Sequence, residues 1–362
     1  MDIIAQITSE FHLQAWQVEN VVKLIDEGNT IPFIARYRKE AHGTLDDQML
    51  REIAERLEYL RNLDKRREEV RASIEGQEKL TEEISAALSN AATLAEIEDI
   101  YRPFKPKRRT RASIAREKGL EPLAQVLYEQ RPDCEEPLAL ALDFLNPEKG
   151  VETAEDALKG ALDIIAENLS DDATIRRRLR NLFTVCGVVR SKSAKEEDSV
   201  YAPYYDFSAP VEKIAGYQVL AIDRGEREGF LKVSVTLDRP RAIKVISSVA
   251  LKSTESPCTR AVLEAGEDAY DRLIEPSIER EIRSALTQRA ATAAIKVFST
   301  NLRQLLLQPP VKGKVALGLD PGYRTGCKVA VVDATGRVLD TGVIYITHSE
   351  AQKNRQNLRF AA

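Results

Sequence analysis

The first half of the chain carries apolar residues at helical spacing. Val18, Val21, Val22 and Ile25 recur every three or four residues, which predicts an amphipathic helix. Gly28 follows at the position where a glycine commonly ends a helix, because it tolerates left-handed backbone.

Two further positions predict helix N-termini. Asp46 and Asp47 precede an apolar stripe that extends to Leu63, and a carboxylate is a favoured N-cap. Thr93 and Glu96 have the spacing of a capping box. With another apolar stripe between residues 150 and 182, these signals predict that residues 1 to about 190 are helical.

The pattern changes after about residue 185. Tyr217–Ile222 and Phe230–Leu237 are rich in residues that favour strands, and the charged run Asp223–Gly229 between them contains two glycines. This arrangement predicts a β-hairpin over residues 217–237. A long helix is then predicted from Pro276, a favoured first residue, to Gln308.

Three strand-like runs follow, at Val315–Asp320, Cys327–Asp333 and Val338–Ile344. Their connections are too short for a parallel crossover, so the strands are predicted to pair antiparallel. A sheet of this kind needs a covering layer for its apolar face. The residues after Ile344 are few and polar, so we expect Val315–Ala362 to be partly disordered or covered by another chain.

Composition narrows the class of protein. Hydrophobic residues make up 43% and charged residues 30% of the chain, which excludes a wholly disordered protein. No run approaches the roughly 18 apolar residues of a membrane span. The four cysteines form no CxxC pair, which predicts reduced thiols and a cytoplasmic location, and the three histidines suggest no shared metal site.

Positive charge is concentrated in one stretch, although the net charge is only −4. From Tyr101 to Lys118, hereafter the basic segment, eight basic residues and the single acid Glu117 give a charge of +7. Pro103 and Pro106 predict an extended loop here, since proline disfavours helix. A concentrated basic segment in an acidic chain indicates local binding to a polyanion.

Four segments carry a resemblance to a known family. They are TIPFIARYRKEA at residues 30–41, IYRPFKPKRRTRASIAREKGLEPLA at 100–124, DRGEREGF at 223–230 and ALGLDPGYRTGCKVAVVDATG at 316–336. Their composition, order and spacing resemble those of the bacterial Tex (transcription accessory) proteins.

The resemblance implies a cytoplasmic nucleic-acid-binding protein linked to transcription. In that family a helical region with a helix-turn-helix-like part precedes a YqgF-type domain with the RNase H-like fold, helix-hairpin-helix elements and an RNA-binding OB-fold domain. By this resemblance, we expect the given sequence to end within the YqgF-type domain.

We therefore expect a mostly α fold in three regions. These are a multi-helical N-terminal region at residues 1–190, a central region with a small β-hairpin insertion and a long helix at 191–310, and the first strands of an incomplete RNase H-like α/β domain at 311–362.

The basic segment supplies the main candidate residues for binding nucleic acid. Basic side chains on a loop neutralise phosphates and release counterions. The alternative is that they pair internally with upstream carboxylates such as Glu98 and Asp99. Nothing indicates base reading, so we expect little sequence specificity. The candidates are Lys105, Lys107, Arg108, Arg109 and Arg111.

Arg36, Arg38 and Lys39 form a second candidate contact on the helix-turn-helix-like part. The alternative, which we favour because no convincing set of base-reading residues is found, places Phe33 and Ile34 in the core and pairs the arginines with carboxylates. Those carboxylates are Glu40, Asp46 and Asp47.

Arg176, Arg177, Arg178 and Arg180 form another basic run. Four arginines in five helical positions point around most of the helix and cannot all face one ligand. We predict a solvated, partly salt-bridged helix end rather than a phosphate site.

Asp320, at the end of the first C-terminal strand, matches the metal-binding carboxylate of RNase H-like nucleases. Two-metal hydrolysis needs several carboxylates held together. Asp333 precedes turn residues and is interpreted as a turn residue itself. Asp320 is therefore interpreted as vestigial, and no catalytic residue, metal or cofactor is expected.

The expected function is that of a non-enzymatic protein that binds RNA or DNA backbones, acting with the transcription or translation machinery. One alternative is a metal-dependent RNase H-like nuclease or resolvase that uses Asp320. Another is a helical scaffold that binds components of those machineries. Neither a membrane nor a small-molecule substrate is expected.

Overall fold

The computed structural model describes residues 2–106, 109–195, 197–309, 312–322 and 326–344. The chain divides into two compact units, Met1–Ala291 and Thr292–Ala362. Over the described ranges it is mostly helical with two three-stranded sheets, so the predicted fold class is confirmed. No helix in these ranges is long and apolar enough to cross a membrane.

The first seven helices enclose one hydrophobic core, the N-terminal core. Helix α5 supplies its longest face, with Leu50, Ile53, Leu57 and Leu60 buried at a spacing of three or four residues. The helices are α1 (Ile3–Phe11), α2 (Ala15–Asp26), α3 (Ile31–Tyr37), α4 (Lys39–His42), α5 (Asp47–Glu75), α6 (Glu82–Asn90) and α7 (Leu94–Tyr101).

Local capping signals in this region are confirmed. The Asp46 carboxylate accepts a hydrogen bond from the Met49 backbone N–H at 2.7 Å. Thr93 and Glu96 form the predicted capping box, with reciprocal bonds of 3.3 Å. Gly28 lies just beyond α2 with a φ of 82°, so the left-handed position is occupied by the residue that adopts it most easily.

A second group of elements encloses a separate central core. Helix α11 crosses it with Ala157, Ala161 and Ile164 buried, and it packs against α8, α9, α10 and α15. The helices are α8 (Arg111–Glu117), α9 (Glu121–Glu129), α10 (Pro137–Leu142), α11 (Ala154–Asp171), α12 (Ala173–Cys186), α13 (Gly216–Arg227), α14 (Arg239–Ala250), α15 (Thr259–Asp268) and α16 (Glu275–Leu306).

The predicted hairpin over residues 217–237 is wrong, because its first strand is helix α13. The observed sheet is antiparallel in the order β2-β1-β3, formed by β1 (Val188–Ser193), β2 (Asp206–Pro210) and β3 (Leu231–Thr236). Helix α13 buries Val219 and Ile222. Strand-favouring composition over six residues was overridden by this helical packing against the sheet.

Gly225 explains how α13 approaches strand β3 so closely. A Cβ atom at this position would lie 2.6 Å from Leu231 Cδ1 and 3.0 Å from Tyr201 Cδ1. The charged run that was predicted to be a hairpin loop is thus the last part of a packed helix.

The predicted long helix is confirmed as α16, but Pro276 does not begin a separate helix. Helix α15 continues through a π-helical turn at Ala269–Ile274 directly into α16. A proline inside a helix lacks the N–H donor and clashes with the carbonyl four residues earlier, here that of Arg272. The π turn contains Arg272 and loosens this spacing, so Pro276 is accommodated without ending the helix.

The second unit contains an antiparallel sheet in the order β4-β5-β6, as predicted. Its strands are β4 (Ala316–Asp320), β5 (Cys327–Val332) and β6 (Val338–Ile344). Leu317 pairs opposite Val331 and Leu319 opposite Val329, so these residues share one apolar face of the sheet.

Part of that apolar face is open, since Leu317 and Leu319 are 58% and 57% exposed. This agrees with the expectation that the sheet lacks a full covering layer. The expectation that Val315–Ala362 is partly disordered stays a prediction, and residues 345–362 of that range lie outside the described residues.

Candidate functional site

The basic segment connects the N-terminal core to the central core. It begins with a single 3₁₀ turn at Arg102–Phe104, and its second half is helix α8. Thr110 caps α8, accepting a hydrogen bond from the Ser113 N–H at 3.0 Å. The predicted extended loop is therefore wrong at Arg102–Phe104, which form the 3₁₀ turn, and from Arg111 onward, because the Thr110 N-cap starts a helix there.

Three basic residues at the ends of the segment make internal contacts. Arg102 Nε lies 3.1 Å from Asp171 Oδ1, and Arg116 Nη1 lies 2.8 Å from Glu167 Oε1. Lys118 donates from Nζ to the Gly150 carbonyl oxygen at 2.7 Å. For these residues the internal alternative holds, since Arg102 and Arg116 attach the segment to helix α11.

Two described basic residues between these anchors, Lys105 and Arg109, are open to solvent. Lys105 Nζ is 3.8 Å from Glu98 Oε2, and Arg109 Nη2 is 4.0 Å from Glu117 Oε2. The side chains of Lys105 and Arg109 are 59% and 75% exposed. Pairs this long and this exposed contribute at most about 1 kcal/mol. The carboxylates therefore do not hold these cations firmly.

Arg111, the first residue of α8, is also exposed. Arg111 interacts electrostatically with Asp163 on α11. Burial raises the pKa of the Asp163 carboxyl, and the positive charges of Arg272 and Arg111 partly oppose this rise. Lys107 and Arg108 lie outside the described ranges, so their candidate role stays a prediction.

The second candidate group also lies at the surface. Arg36, Arg38 and Lys39 are all exposed. The Arg38 guanidinium lies 5.3 Å from the Phe33 ring centroid, and the Phe33 and Tyr37 rings are themselves 5.3 Å apart. This geometry is typical of cation–π and tilted aromatic contacts.

The predicted ion pairs of this group are not found among the residues that the structure describes. Asp47 instead pairs with Arg51 at 2.9 Å, while Asp46 caps helix α5. The core part of the same interpretation is confirmed for Ile34, which is fully buried, whereas Phe33 is half-buried.

The sequence did not point to Trp16, which lies against the end of α4, the helix that begins at Lys39. Trp16 is 45% exposed, and its Cη2 atom lies 3.0 Å from where a Cβ atom on Gly43 would be. The available signal was that Trp16, the one tryptophan of the chain, is flanked by the polar residues Gln14 and Gln17. Hereafter the aromatic–basic patch is Trp16, Phe33, Arg36, Tyr37, Arg38 and Lys39.

The arginine run on α12 differs from the prediction. Arg176 is fully buried, with Nε 2.8 Å from Asp99 Oδ1 and a second contact to the Glu281 carboxylate. Arg180 lies 2.9 Å from both Asp99 and Glu281. A solvated helix end is thus wrong for these two, because residues i and i+4 share the helix face that packs on α7 and α16.

The exposed members of the run, Arg177 and Arg178, fit the prediction. The buried members join the N-terminal core, through Asp99 on α7, to helices α12 and α16. We name Asp99, Arg176, Arg180 and Glu281 the buried charge cluster.

Asp320 ends strand β4 in an exposed position opposite Lys328 on β5. Within the described ranges no group of three or more His, Cys, Asp or Glu side chains is placed to hold a metal ion. Asp333 is a turn residue as predicted: its carboxylate accepts from the Thr335 N–H at 2.8 Å and the Arg337 N–H at 3.0 Å. Hydrogen bonds from the Thr335 hydroxyl and from these backbone N–H groups lower the pKa of Asp333.

Comparison with known families matches most of the chain. The Tex-like protein N-terminal domain matches residues 1–75, the Tex central region-like family matches residues 133–298, and the Tex protein YqgF-like domain matches residues 314–362.

Individual relatives agree along nearly the full chain. The uncharacterized protein YdcI of Bacillus subtilis is 42% identical over 355 residues, covering 97% of this chain and 49% of its own length. Protein tex of Bordetella pertussis is 41% identical over 359 residues, covering 95% and 45%. The human S1 RNA-binding domain-containing protein 1 is 31% identical over 385 residues, covering 99% and 37%. The chain thus spans about half the length of the bacterial relatives or less.

Proposed function

Because this chain belongs to the Tex family, we propose that it binds nucleic acid through the phosphate backbone, with little sequence specificity and without enzymatic chemistry. The binding serves transcription. The names of two relatives support this proposal, since one is a transcriptional accessory protein and another carries an RNA-binding S1 domain.

The proposal rests on the different contacts of two sets of basic residues within the basic segment. Arg102, Arg116 and Lys118 anchor the segment, whereas Lys105, Arg109 and Arg111 stay exposed between the anchors. An exposed carboxylate 3.8–4.0 Å from a cation is easily replaced by a phosphate oxygen, because such a pair is weak. Anchoring at both ends lowers the entropy lost when the cations engage a strand.

The stretch from Lys105 to Arg111 has a length that suits a polymer with regularly spaced charges. The six residue steps from Lys105 to Arg111 reach at most about 20 Å. That length corresponds to about six nucleotide steps along a DNA strand at 3.4 Å each. Successive phosphates of one strand can therefore meet different cations of the segment.

The aromatic–basic patch supports single-stranded nucleic acid as one ligand. Tyr37 is 61% and Trp16 45% exposed, and aromatic rings with basic neighbours form platforms on which bases stack. Stacking tolerates any base, which is consistent with low sequence specificity.

The test is binding of the full chain to a fluorescently labelled single-stranded RNA across a salt series. The variant Lys105→Ala, Arg109→Ala, Arg111→Ala removes three candidate phosphate contacts. At about 0.7 released counterions per single-stranded contact, the slope of log affinity against log salt should flatten by about two. Two unrelated RNA sequences should lose affinity equally, since backbone contacts carry no sequence information.

A control variant removes the same charge elsewhere. Arg177→Ala, Arg178→Ala, Arg260→Ala takes three exposed arginines from α12 and α15. It should leave the salt slope within about half a unit of the wild-type value, because a distant charge releases no counterion on binding. Equal slopes for both variants, or an unchanged slope in the first, would contradict the proposal.

A specific observation also favours protein binding as a second candidate function. Every residue from Thr292 to Pro309 is exposed, and α16 carries apolar residues there at coiled-coil spacing. They are Ile295, Phe298, Leu302 and Leu305.

Substitution of this stripe tests the second candidate. Phe298→Glu with Leu302→Glu should abolish binding of purified RNA polymerase or purified ribosomal proteins in nuclease-treated samples. Ser299→Glu with Gln304→Glu, on other faces of the same helix, should leave that binding intact. If neither pair changes it, or if nuclease removes it from the wild type, the scaffold function fails.

A further inference from the structure

Two cysteines from distant parts of the chain meet in the central core. Cys134 Sγ lies 3.2 Å from Cys258 Sγ, although 124 positions separate them. Cys134, in the connection between α9 and α10, is half-buried; Cys258, just before α15, is fully buried. Both are free thiols.

The surrounding backbone holds the two connections side by side. The buried Gln130 side chain donates from Nε2 to the Ala250 carbonyl at 2.8 Å and accepts from the Lys252 N–H at 3.1 Å. The Lys252 ammonium lies 4.3 Å from the Tyr128 ring centroid. The proximity of the thiols is therefore supported by contacts that do not involve sulfur.

A hydroxyl group lies within reach of both cysteines. Ser256 Oγ is 3.4 Å from Cys134 Sγ and accepts a hydrogen bond from the Cys258 N–H at 3.2 Å. Its own proton can therefore be donated to Cys134 Sγ. Burial, with the Cys134 neighbour as a second cause, raises the pKa of Cys258 to about 12. The two thiols are thus unequal, and the more accessible Cys134 is the one able to attack an oxidant.

We propose that Cys134 and Cys258 are a redox modification site, which a hydroperoxide converts into a reversible intramolecular disulfide. The Cys134 thiolate attacks the terminal peroxide oxygen, the O–O bond breaks, and sulfenic acid forms as the leaving alkoxide or hydroxide takes up a proton. Cys258 sulfur then attacks the Cys134 sulfur, and its proton leaves with the sulfenic hydroxyl as water. Two thiols and one hydroperoxide give one disulfide, one water and one alcohol, or a second water when the oxidant is hydrogen peroxide.

The geometry requires little movement. The sulfur atoms must approach by about 1 Å to reach the S–S bond length of about 2.05 Å. The new bond would cross-link the α9–α10 connection to the start of α15, closing a loop of more than a hundred residues. Such a cross-link restricts the unfolded chain and should raise the melting temperature by several degrees.

The test uses the full chain treated with hydrogen peroxide and then digested with trypsin without reduction. The peptide of residues 119–149 carries Cys134 and that of residues 253–260 carries Cys258. Mass spectrometry should find them linked, with about 2 Da lost, in the wild type and in the Cys186→Ser, Cys327→Ser control. Oxidised control protein should also melt several degrees above the reduced sample, and dithiothreitol should reverse this.

Further variants separate pairing from general thiol damage. Cys134→Ser or Cys258→Ser should abolish the link and the shift in melting temperature, with circular dichroism confirming that each variant folds. Ser256→Ala should slow thiol loss severalfold while leaving the same linked product. Cys134 reaching sulfinic acid while Cys258 stays a free thiol, or a disulfide formed mainly by Cys186, would overturn the proposal.

Discussion

The arginine run on α12 and the middle of the basic segment have similar composition and opposite surroundings. Arg176 is fully buried and contacts two carboxylates. Arg109 is 75% exposed, and its nearest carboxylate is 4.0 Å away. The first holds structural elements together, and the second is available for a ligand.

A run of basic residues therefore does not by itself indicate a binding surface. Such residues form structural ion pairs where other elements place desolvated carboxylates beside them, and they stay exposed where no such carboxylates are present. Asp99 and Glu281 come from helices remote in sequence and enclose Arg176. Glu98, just before the basic segment, and Glu117, within it, stay exposed to solvent.

The largest effect is expected from Arg176→Met. The change leaves the Asp99 carboxylate buried without its closest partner. Breaking a buried ion pair in this way lowers the free energy of unfolding by several kcal/mol. Arg180 still contacts both carboxylates, so we expect a loss of about 3 kcal/mol in the free energy of unfolding, at the lower end for such changes. Urea denaturation followed by circular dichroism measures it.

Arg177→Met is the matched control for that change. Arg177 is exposed on the same helix, so its substitution should alter the free energy of unfolding by less than about 0.5 kcal/mol. Equal effects of the two substitutions would mean that the buried charge cluster does not stabilise the fold.

The exposed cations of the basic segment should contribute to RNA binding but little to the free energy of unfolding. In the variant Lys105→Ala, Arg109→Ala, Arg111→Ala, the free energy of unfolding should change by less than about 1 kcal/mol, since only weak surface pairs are lost. The same protein should show the flattened salt slope in RNA binding. A loss of stability comparable to that of Arg176→Met would indicate that these side chains are structural.

A smaller effect of opposite sign is expected from Glu117→Gln. Glu117 is the acid nearest Arg109, and it competes with a phosphate for that cation. Its neutralisation should raise affinity for RNA about twofold at low salt, and the gain should vanish in high salt as screening increases. Fluorescence anisotropy measures the change, with Glu52→Gln on α5 as a control expected to leave the affinity constant.

The smallest effect is expected from Asp320→Asn. If the chain is not an enzyme, neither wild type nor variant should cleave labelled RNA or DNA in Mg²⁺ or Mn²⁺, and affinity should be equal. Cleavage by the wild type that disappears in the variant would instead support a metal-dependent nuclease, because hydrolysis would then depend on the carboxylate.

Features set by neighbouring residues could be predicted from the sequence. The caps at Asp46 and Thr93 and the Asp333 turn depend on residues only a few positions apart. The three antiparallel strands of the second unit follow one another along the chain, and each pairs with its neighbour in sequence. These partners are therefore visible in a short window of sequence.

Features set by tertiary packing could not. Helix α13 is helical because Val219, Ile222 and Gly225 pack against other elements, although the local composition favours a strand. The burial of Arg176 depends on Asp99, 77 positions away, and Glu281, 105 positions away. In the candidate site, the exposure of Lys105 and Arg109 agrees with the sequence, but the anchoring of Arg102 and Arg116 on α11 needed the fold.

The π turn at Ala269–Ile274 has a consequence for how this chain tolerates insertions and deletions. Each α-helical residue advances the chain by about 100° around the axis, but a π turn is wider and spreads one surplus residue over the same rotation. The residues after the turn therefore keep the rotational phase of a regular helix that lacks the surplus residue, and Ile278, Ile282 and Leu286 face inward. Excising a single residue from the turn should regularise the helix and leave this row facing inward, whereas excising one from the regular part of α15 should rotate the row away from its partners. The irregular turn thus absorbs a change in chain length while the two helical stretches stay in step.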